Sequence, residues 1–408
     1  MAKISAVRAC AVSVPLDTPT ASATRTATER HYGLVEIEAD DGVAGIGFTH
    51  LGNRGGKLFV EAVHGLLAPL LIGEDAHRVE GLWDKMYQDS LPHGRAGTVM
   101  RAISALDIAL WDRNARAAGL PLYKFLGAVR VDRVPAYVGG GYYLPGKTPK
   151  MLAEECVGYV AQGFKAVKIK VGRLAEPKEE AARVAAVRKR IGPDVMLMLD
   201  ANQAWKDVPT ALRFLKVYEP YDPYWIEEPF GPDDIDNLAR LAAIASVPVA
   251  TGEMESGRWR FKELIEREAA TILQPSACVV GGITEFRRVA ATAASFGIDV
   301  WPHWFHDLHV HLVAATPNAG WVEYFPDDQV LNFRRLIDTQ LAVEGGDILL
   351  PDRPGLGFDF SPEAVKRYVV ERWRVTGTVN LPPPPPSPAA RTRVRATRRS
   401  GVVRRGRR

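Results

Sequence analysis

Short apolar runs recur through the second half of the chain, each closing on a polar or charged residue and each followed by a stretch of helical spacing. The runs are AVKIKVG (166–172), VMLMLD (195–200), YWIEEP (224–229), VPVATGE (247–253), TILQPS (271–276) and IDVWPHW (298–304). Strand-length apolar runs alternating with helices predict βα units and a parallel sheet. VPAYVGG (134–140) before them and WVEYF (321–325) after them bring the strands to eight, the number that closes an α/β barrel of the (β/α)8 type. The terminal polar residues Lys168, Lys170, Asp200, Glu227, Glu253, Ser276 and His303 then share the carboxyl-terminal face, where such barrels carry their chemistry.

The first part of the chain has a different rhythm. Residues 3–16 and 32–50 alternate as strands do, with Asp41-Gly42 as a hairpin turn. Helical patterns follow near 57–72, 76–90 and 96–117, the last with apolar Met100, Ile103, Leu106, Ile108, Leu110 and Trp111. Strands followed by helices describe an α+β domain over 1–127, ahead of a barrel over 128–340. The segment DTPTASATRTATER (17–30) is polar and small-residued and reads as a mobile loop. Residues 341–380, with GGDILLPDRPGLGFDF, have little βα character and are expected to return to the first domain. No short-period repeat is present beyond the βα rhythm, which argues against a solenoid.

Composition adds a large core and an unusual tail. With 408 residues and 47% apolar content, the chain holds more than one ordinary domain. Cys10, Cys156 and Cys278 are scattered without metal or disulfide spacing, and no apolar stretch approaches a membrane span, so a cytoplasmic protein without a membrane partner is expected. The net charge of +4 owes everything to nine arginines between Arg391 and Arg408; without them it is −5. Residues 381–408, Pro-rich then Arg-rich, read either as an arm for an anionic surface or as a disordered extension. Their lack of aromatic and large apolar residues favours the extension, and no nucleic-acid partner is expected for the folded body.

Side chains two apart on a strand face the same way, so Lys168 and Lys170 project together. Each charge disfavours the other, which lowers a lysine from ~10.4 toward the ~7–8 useful to a general base. Asp200, Glu227 and Glu253 would converge from three successive strands, and three carboxylates so close require a cation. Oxygen donors with no cysteine among them select Mg²⁺. Of the neighbours Glu227 and Glu228 only one should enter the mouth, while Asn202 shares the face of Asp200. A lysine base beside such a cation suits abstraction of the α-proton of a carboxylate, with the cation stabilising the enediolate; the pairing is already known from enolase-type sites.

The ordered set KIK (168–170), LDAN (199–202), WIEEP (225–229), TGE (251–253), GGIT (281–284), PHW (302–304) and HLVAATPNAGWVEYF (311–325) resembles the mandelate racemase subgroup of the enolase superfamily over roughly residues 1–375. The resemblance implies a modified (β/α)7β barrel with an N-terminal α+β capping domain completed by the C-terminal segment, Mg²⁺ on Asp200, Glu227 and Glu253, and a symmetric homo-oligomer. It implies Lys170 as base on one substrate face, Lys168 beside it on the carboxylate, His303 as acid/base on the opposite face, and Glu323 as a further contact of the carboxylate. The chain departs from the pattern at Ser276, where the subgroup commonly has an Asp that pairs with the histidine. Without that carboxylate His303 loses basicity, which disfavours a two-base racemase and leaves a one-base dehydratase. Either Ser276 is the remaining orienter of His303, or another group such as Asp307 is.

His306, His309 and His311 are expected to be structural, and Gly281-Gly282 to make a turn. Substrate choice is expected from the loop 17–31, with Arg25, Arg30 and His31, and from His50 to Arg54, because loops over a rigid barrel carry specificity. The leading reading is a dehydratase taking a sugar acid, aldonate or aldarate, to a 2-keto-3-deoxy acid. The alternatives are a racemase, epimerase or cycloisomerase using the same enediolate, a Schiff-base aldolase, and a non-catalytic protein binding sugar acids or nucleic acid.

Overall fold

The computed structural model describes residues 1–376. Strands β1 (Ile4–Ala21), β2 (Thr26–Ala39) and β3 (Ala44–His50) form an antiparallel sheet. Both faces of this sheet are covered, and the two-residue period sorts its side chains between two cores. Val7, Ala9, Ala11, Val35 and Ile37 pack with the helices of the first domain. Cys10, Val12, Val14, Tyr32, Leu34, Ile46 and Phe48 join the core shared with the barrel. The helical segments are 56–71, which contains a π-turn at Ala62–Leu67, then Val79–Ser90 and Thr98–Ala117. The last lies directly on β3: a Cβ at Gly47 would stand 1.9 Å from the Ala105 carbonyl oxygen.

The segment 17–30 is not a loop. β1 runs to Ala21 and β2 starts at Thr26, with Thr20 opposite Ala27 and Ala21 opposite Thr26. Only residues 22–25 turn, closed by Ser22 N donating to Arg25 O at 2.9 Å. Backbone pairing holds this polar arm, and β-branched threonines suit it. Ala21 and Tyr143 exchange backbone hydrogen bonds of 3.2 and 2.9 Å, which dock the arm on the barrel.

Eight parallel strands form the barrel: β4 (Arg133–Gly139), β5 (Ala166–Lys170), β6 (Met196–Asp200), β7 (Pro223–Glu227), β8 (Val249–Thr251), β9 (Ile272–Leu273), β10 (Asp299–Val300) and β11 (Val322–Tyr324). β11 pairs with β4, and Val300 N to Asn318 O (2.9 Å) with Gly320 N to Val300 O (2.9 Å) close the ring. Tyr137, Ala166, Met198, Trp225, Ala250, Ile272 and Trp301 fill the interior, while Val167, Ile169, Leu197 and Leu199 belong to the outer core.

The C-terminal segment reaches the sheet of the first domain only after a hairpin on the barrel. β12 (Val343–Glu344) and β13 (Asp347–Leu349) form a hairpin on β4, and only β14 (Val369–Thr376) pairs with β1, giving the order β14-β1-β2-β3. Two buried carboxylates tie the layers. Asp112 accepts from Ile46 N (2.8 Å), Leu356 N (2.7 Å) and Arg116 Nε (2.7 Å). Asp107 accepts from Thr284 N (2.9 Å) and Thr284 Oγ1 (2.6 Å). Burial pushes Asp107 up to about 7 and Asp112 up to about 6. No described helix is long and apolar enough to cross a membrane. The expectations for 381–408 lie outside the described residues.

Candidate active site

Strand register assembles the site. Lys170 is paired with Asp200, Asp200 with Glu227, and Lys168 with Gly139. Lys168 Nζ donates to Glu227 Oε1 (2.6 Å) and forms an ion pair with Glu323 Oε1 (2.8 Å); Lys170 Nζ donates to Asp200 Oδ2. Trp225 lies two residues before Glu227 and so shares its face, and its Nε1 donates to Glu227 Oε2 at 3.1 Å. Gln274 Nε2 donates to the same oxygen at 2.7 Å. Glu323 also accepts from Trp304 N (2.9 Å), linking the Lys168 cluster to the loop that bears His303. Glycine at 139 is required beneath it, because a Cβ there would lie 2.5 Å from Glu323 Oε1.

The backbone turns sharply just past these residues. Asn202 (φ 42°), Gln203 (67°), Glu228 (42°), Trp304 (60°) and Phe305 (40°) are five of seven non-glycine residues with positive φ among those described. Such conformations cost energy and persist where surrounding contacts hold them, as they do around active sites. The turn also changes the fate of Glu228. Strand alternation would send it away from Glu227, but it lies past the end of β7 and stays buried, accepting from Gln203 Nε2 at 3.1 Å.

Asp200, Glu227 and Glu253 each offer an oxygen within 4.8 Å of the others, and all three are buried. Burial raises Glu227 to about 8, with Asp200 adding to it. Burial, then Glu228, Asp200 and Glu227, raise Glu253 well above the carboxylate range. Burial works against ionised Asp200 too, but Lys170 and Lys168 outweigh it and hold that carboxyl below its ordinary value. The cluster thus resists carrying three negative charges unaided. Glu253 Oε2 accepts no hydrogen bond, although His303 Nε2 stands 3.1 Å away. Hard oxygen donors with an orphaned buried oxygen fit a small divalent cation such as Mg²⁺.

Lys168 does lower Lys170, as the sequence suggested, but the carboxylates around the pair outweigh it. Burial opposes the charge of each, but Glu227 and Glu323 around Lys168, and Asp200 beside Lys170, raise both above the ordinary lysine range. Lys168 has three carboxylates within 3.7 Å, and Lys170 is paired directly with Asp200.

A cavity of ≈ 640 Å³ stands over the cluster. Lys170, Asn202, Glu253, Ser276 and His303 line it from the barrel; Arg25, Arg30, His50, Arg54 and Arg101 line it from the first domain. The His303 ring stacks on Trp304 with centroids 5.2 Å apart.

Comparison with known proteins agrees with this geometry. Residues 4–127 match the family described as mandelate racemase / muconate lactonizing enzyme, N-terminal domain, and residues 151–364 match the enolase C-terminal domain-like family. The chain belongs to the mandelate racemase/muconate lactonizing enzyme family of the enolase superfamily. It is 36% identical to L-talarate/galactarate dehydratase of Salmonella typhimurium over 369 residues, 89% of this chain and 90% of that one. It is 35% identical to 3,6-anhydro-alpha-L-galactonate cycloisomerase of Streptomyces coelicolor, over 90% of this chain and 99% of that protein. The crystal structure of L-talarate dehydratase from Polaromonas sp. JS666, complexed with Mg and L-glucarate, superposes with a TM-score of 0.83 at 37% identity, covering 92% of this chain and all (100%) of that one.

Several of the residues singled out in the sequence stand differently from the expectation. Lys168 and Glu323 are each 1% exposed and lie beneath the wall, joined to each other. His31 turns to Glu29 (3.3 Å) and does not line the cavity, because it follows Arg30 on a strand and points to the other face. Ser276 Oγ is buried with no hydrogen-bond partner, so it does not orient His303 here. Asp307 does not either; its nearest ion-pair partner is His306, at 3.6 Å. His309 and His311 are structural: His309 Nε2 accepts from Ala277 N (3.0 Å), and His311 Nδ1 accepts from Tyr123 N (3.3 Å). Trp225, Gln274 and Arg101 belong to the site without having been found by sequence reasoning. Trp225 was legible from its spacing to Glu227, and Gln274 from its place at the end of a strand. Arg101 gives no such signal, since it sits in a helix whose pattern is dominated by its apolar face.

Proposed function

We propose that the chain is a Mg²⁺-dependent hydro-lyase that dehydrates a sugar acid to a 2-keto-3-deoxy acid. The observation that carries this reading is the meeting, at one cavity, of Lys170, the trio Asp200, Glu227 and Glu253, and His303. Asp200, Glu227 and Glu253 would hold the ion. Mg²⁺ bound there supplies Lewis-acid stabilisation of the negative charge that grows on the substrate carboxylate as the α-proton leaves.

Lys170 Nζ takes the α-proton, breaking the C–H bond, and requires its neutral form first. Lys168, held between Glu227 and Glu323, keeps a positive charge under the carboxylate end of the substrate. His303 gives a proton to the β-hydroxyl, which departs as water when its C–O bond breaks, and the resulting enol becomes the 2-keto acid. Asn202 and Arg25 line the cavity and contact hydroxyl or carboxylate groups. Ser276 supports elimination over racemisation, because no carboxylate pairs with His303 as a second strong base would need. A cytoplasmic homo-oligomer is part of the same proposal, with light scattering as the check on assembly.

The test is mass spectrometry of aldonic and aldaric acids incubated with the protein in D2O, with and without Mg²⁺. A Mg²⁺-dependent product lighter by one water supports the dehydratase. Deuterium gained without loss of water would replace it with a racemase, epimerase or cycloisomerase, which chromatography of the product against the starting acid then separates.

A further inference from the structure

Arginines drawn into the body of this chain commonly meet a carboxylate: Arg113 has Asp41, Arg183 has Glu180, Arg116 has Asp112, and Arg288 has Glu285. Two arginines lining the cavity do not. Arg30, 8% exposed, donates from Nε to Val330 O (3.1 Å) and from Nη2 to Thr20 Oγ1 (3.5 Å), with its guanidinium 5.0 Å from the Trp304 ring. Arg101 donates from Nη1 to His50 O at 2.7 Å. Neither forms an ion pair with a carboxylate among the described residues.

These cations converge on His50. Burial, then Arg30, Arg101 and Arg25, push the imidazole well below its ordinary range, so it is neutral, and its Nε2 is buried without a hydrogen-bond partner. Holding the buried guanidinium of Arg30 near those of Arg101 and Arg25 without an anion is costly. Each retains N–H donors in a fork that matches a carboxylate. The cluster comes from the first domain, and both Arg30 and His303 pack against the Trp304 ring, at 5.0 and 5.2 Å from its centroid. The cavity is therefore lined by charge from two sources, the lysine and carboxylates of the barrel and the arginines of the first domain.

We propose that Arg30 and Arg101, with Arg25 at the mouth, bind the second terminal carboxylate of a diacid, so that the substrate is an aldarate and not an aldonate. This rests on the dehydratase reading for the identity of the first carboxylate's site.

Binding is measured by calorimetry with Mg²⁺ on the full chain carrying Lys170→Ala, which prevents turnover, using galactarate against galactonate, glucarate against gluconate, and 6-phosphogluconate. At least one diacid is expected to bind about 10- to 100-fold more tightly than its monoacid partner, the range of a hydrogen bond to a charged group. Adding Arg101→Met should remove most of that preference, read as the ratio of diacid to monoacid affinity. Arg101→Lys should restore part of it, because charge remains while the fork is lost; this variant decides the matter should Arg101→Met fail to fold. Equal affinity within every pair, a preference surviving both Arg30→Met and Arg101→Met, or tighter binding of 6-phosphogluconate than of any diacid would overturn the proposal. Water loss by the unaltered chain is scored separately. Its absence from every acid would overturn the dehydratase reading, while the diacid preference is still decided by binding.

Discussion

The two ends of the cavity are built on opposite principles. On the barrel side, Lys168, Lys170, Asp200, Glu227 and Glu323 satisfy one another in a closed set of ion pairs, placed by strand register and buried. On the other side, Arg30 and Arg101 spend hydrogen bonds on carbonyl and hydroxyl oxygens and keep their charge unmatched. The barrel floor is held together by its own ion pairs, whereas on the reading proposed above the roof is completed by the substrate. The proposal accordingly assigns reaction type and substrate choice to different parts of the chain.

The largest effect that this contrast predicts is on the floor. Lys170→Ala should lower kcat by about 10²–10⁴-fold, the range for a positioned general base, while circular dichroism stays native; turnover that persists would mean the proton moves elsewhere. Next comes support of the cation site. Gln274→Leu removes the 2.7 Å bond to Glu227 and should weaken Mg²⁺ binding about 10- to 100-fold, as loss of a partner behind a ligand does. Titration of activity against Mg²⁺ reads this directly, and an unchanged midpoint would show Glu227 to be held without Gln274. Chelation should abolish activity, and Mg²⁺ at 100 times its Kd should stabilise the fold by about 2.7 kcal/mol. Glu253→Gln should erase most of that thermal shift.

Effects on the roof side should be smaller. Arg25 is exposed and donates to Gln203 Oε1 at 3.1 Å, so Arg25→Ala should change KM by about two- to fivefold, in keeping with exposed polar contacts, and leave kcat alone. A kcat loss as large as that of Lys170→Ala would erase the distinction between the two ends. Smallest and slowest to show is the layer contact at Asp107. Its carboxyl group is raised from 3.8 to about 7 by burial, so its proton favours the folded state. That contribution is complete below pH ~4 and is lost as pH rises through ~7. The Tm of the unaltered chain should fall over this interval relative to Asp107→Asn, and parallel curves would assign the pH response to other groups.

The barrel strands were legible because six apolar runs close on a polar residue and two more runs flank them, and Asp200, Glu227 and Glu253 came with the six. The vertical arrangement was not. Nothing in the spacing of Lys168 and Lys170 tells that Lys168 sinks between Glu227 and Glu323, since Glu323 lies on the strand that closes the ring from the far end of the sequence. The arm 17–30 defeats a reading from composition because polarity is not looseness: backbone pairing and docking on Tyr143 decide its shape. Glu228 escaped strand alternation by a left-handed residue, and φ is not written in a dipeptide of two glutamates.

β1 has a further consequence for anyone recombining this protein with a relative. Its first half is paired with β14, a strand more than three hundred residues away in the chain, and its last residues form the arm beside the cavity. A chimaera that imports a new roof by exchanging the amino-terminal segment alone inherits a mismatched edge strand. Transplanting substrate preference therefore calls for two cuts, one on each flank of the barrel, with the barrel itself carried through as an uninterrupted insert.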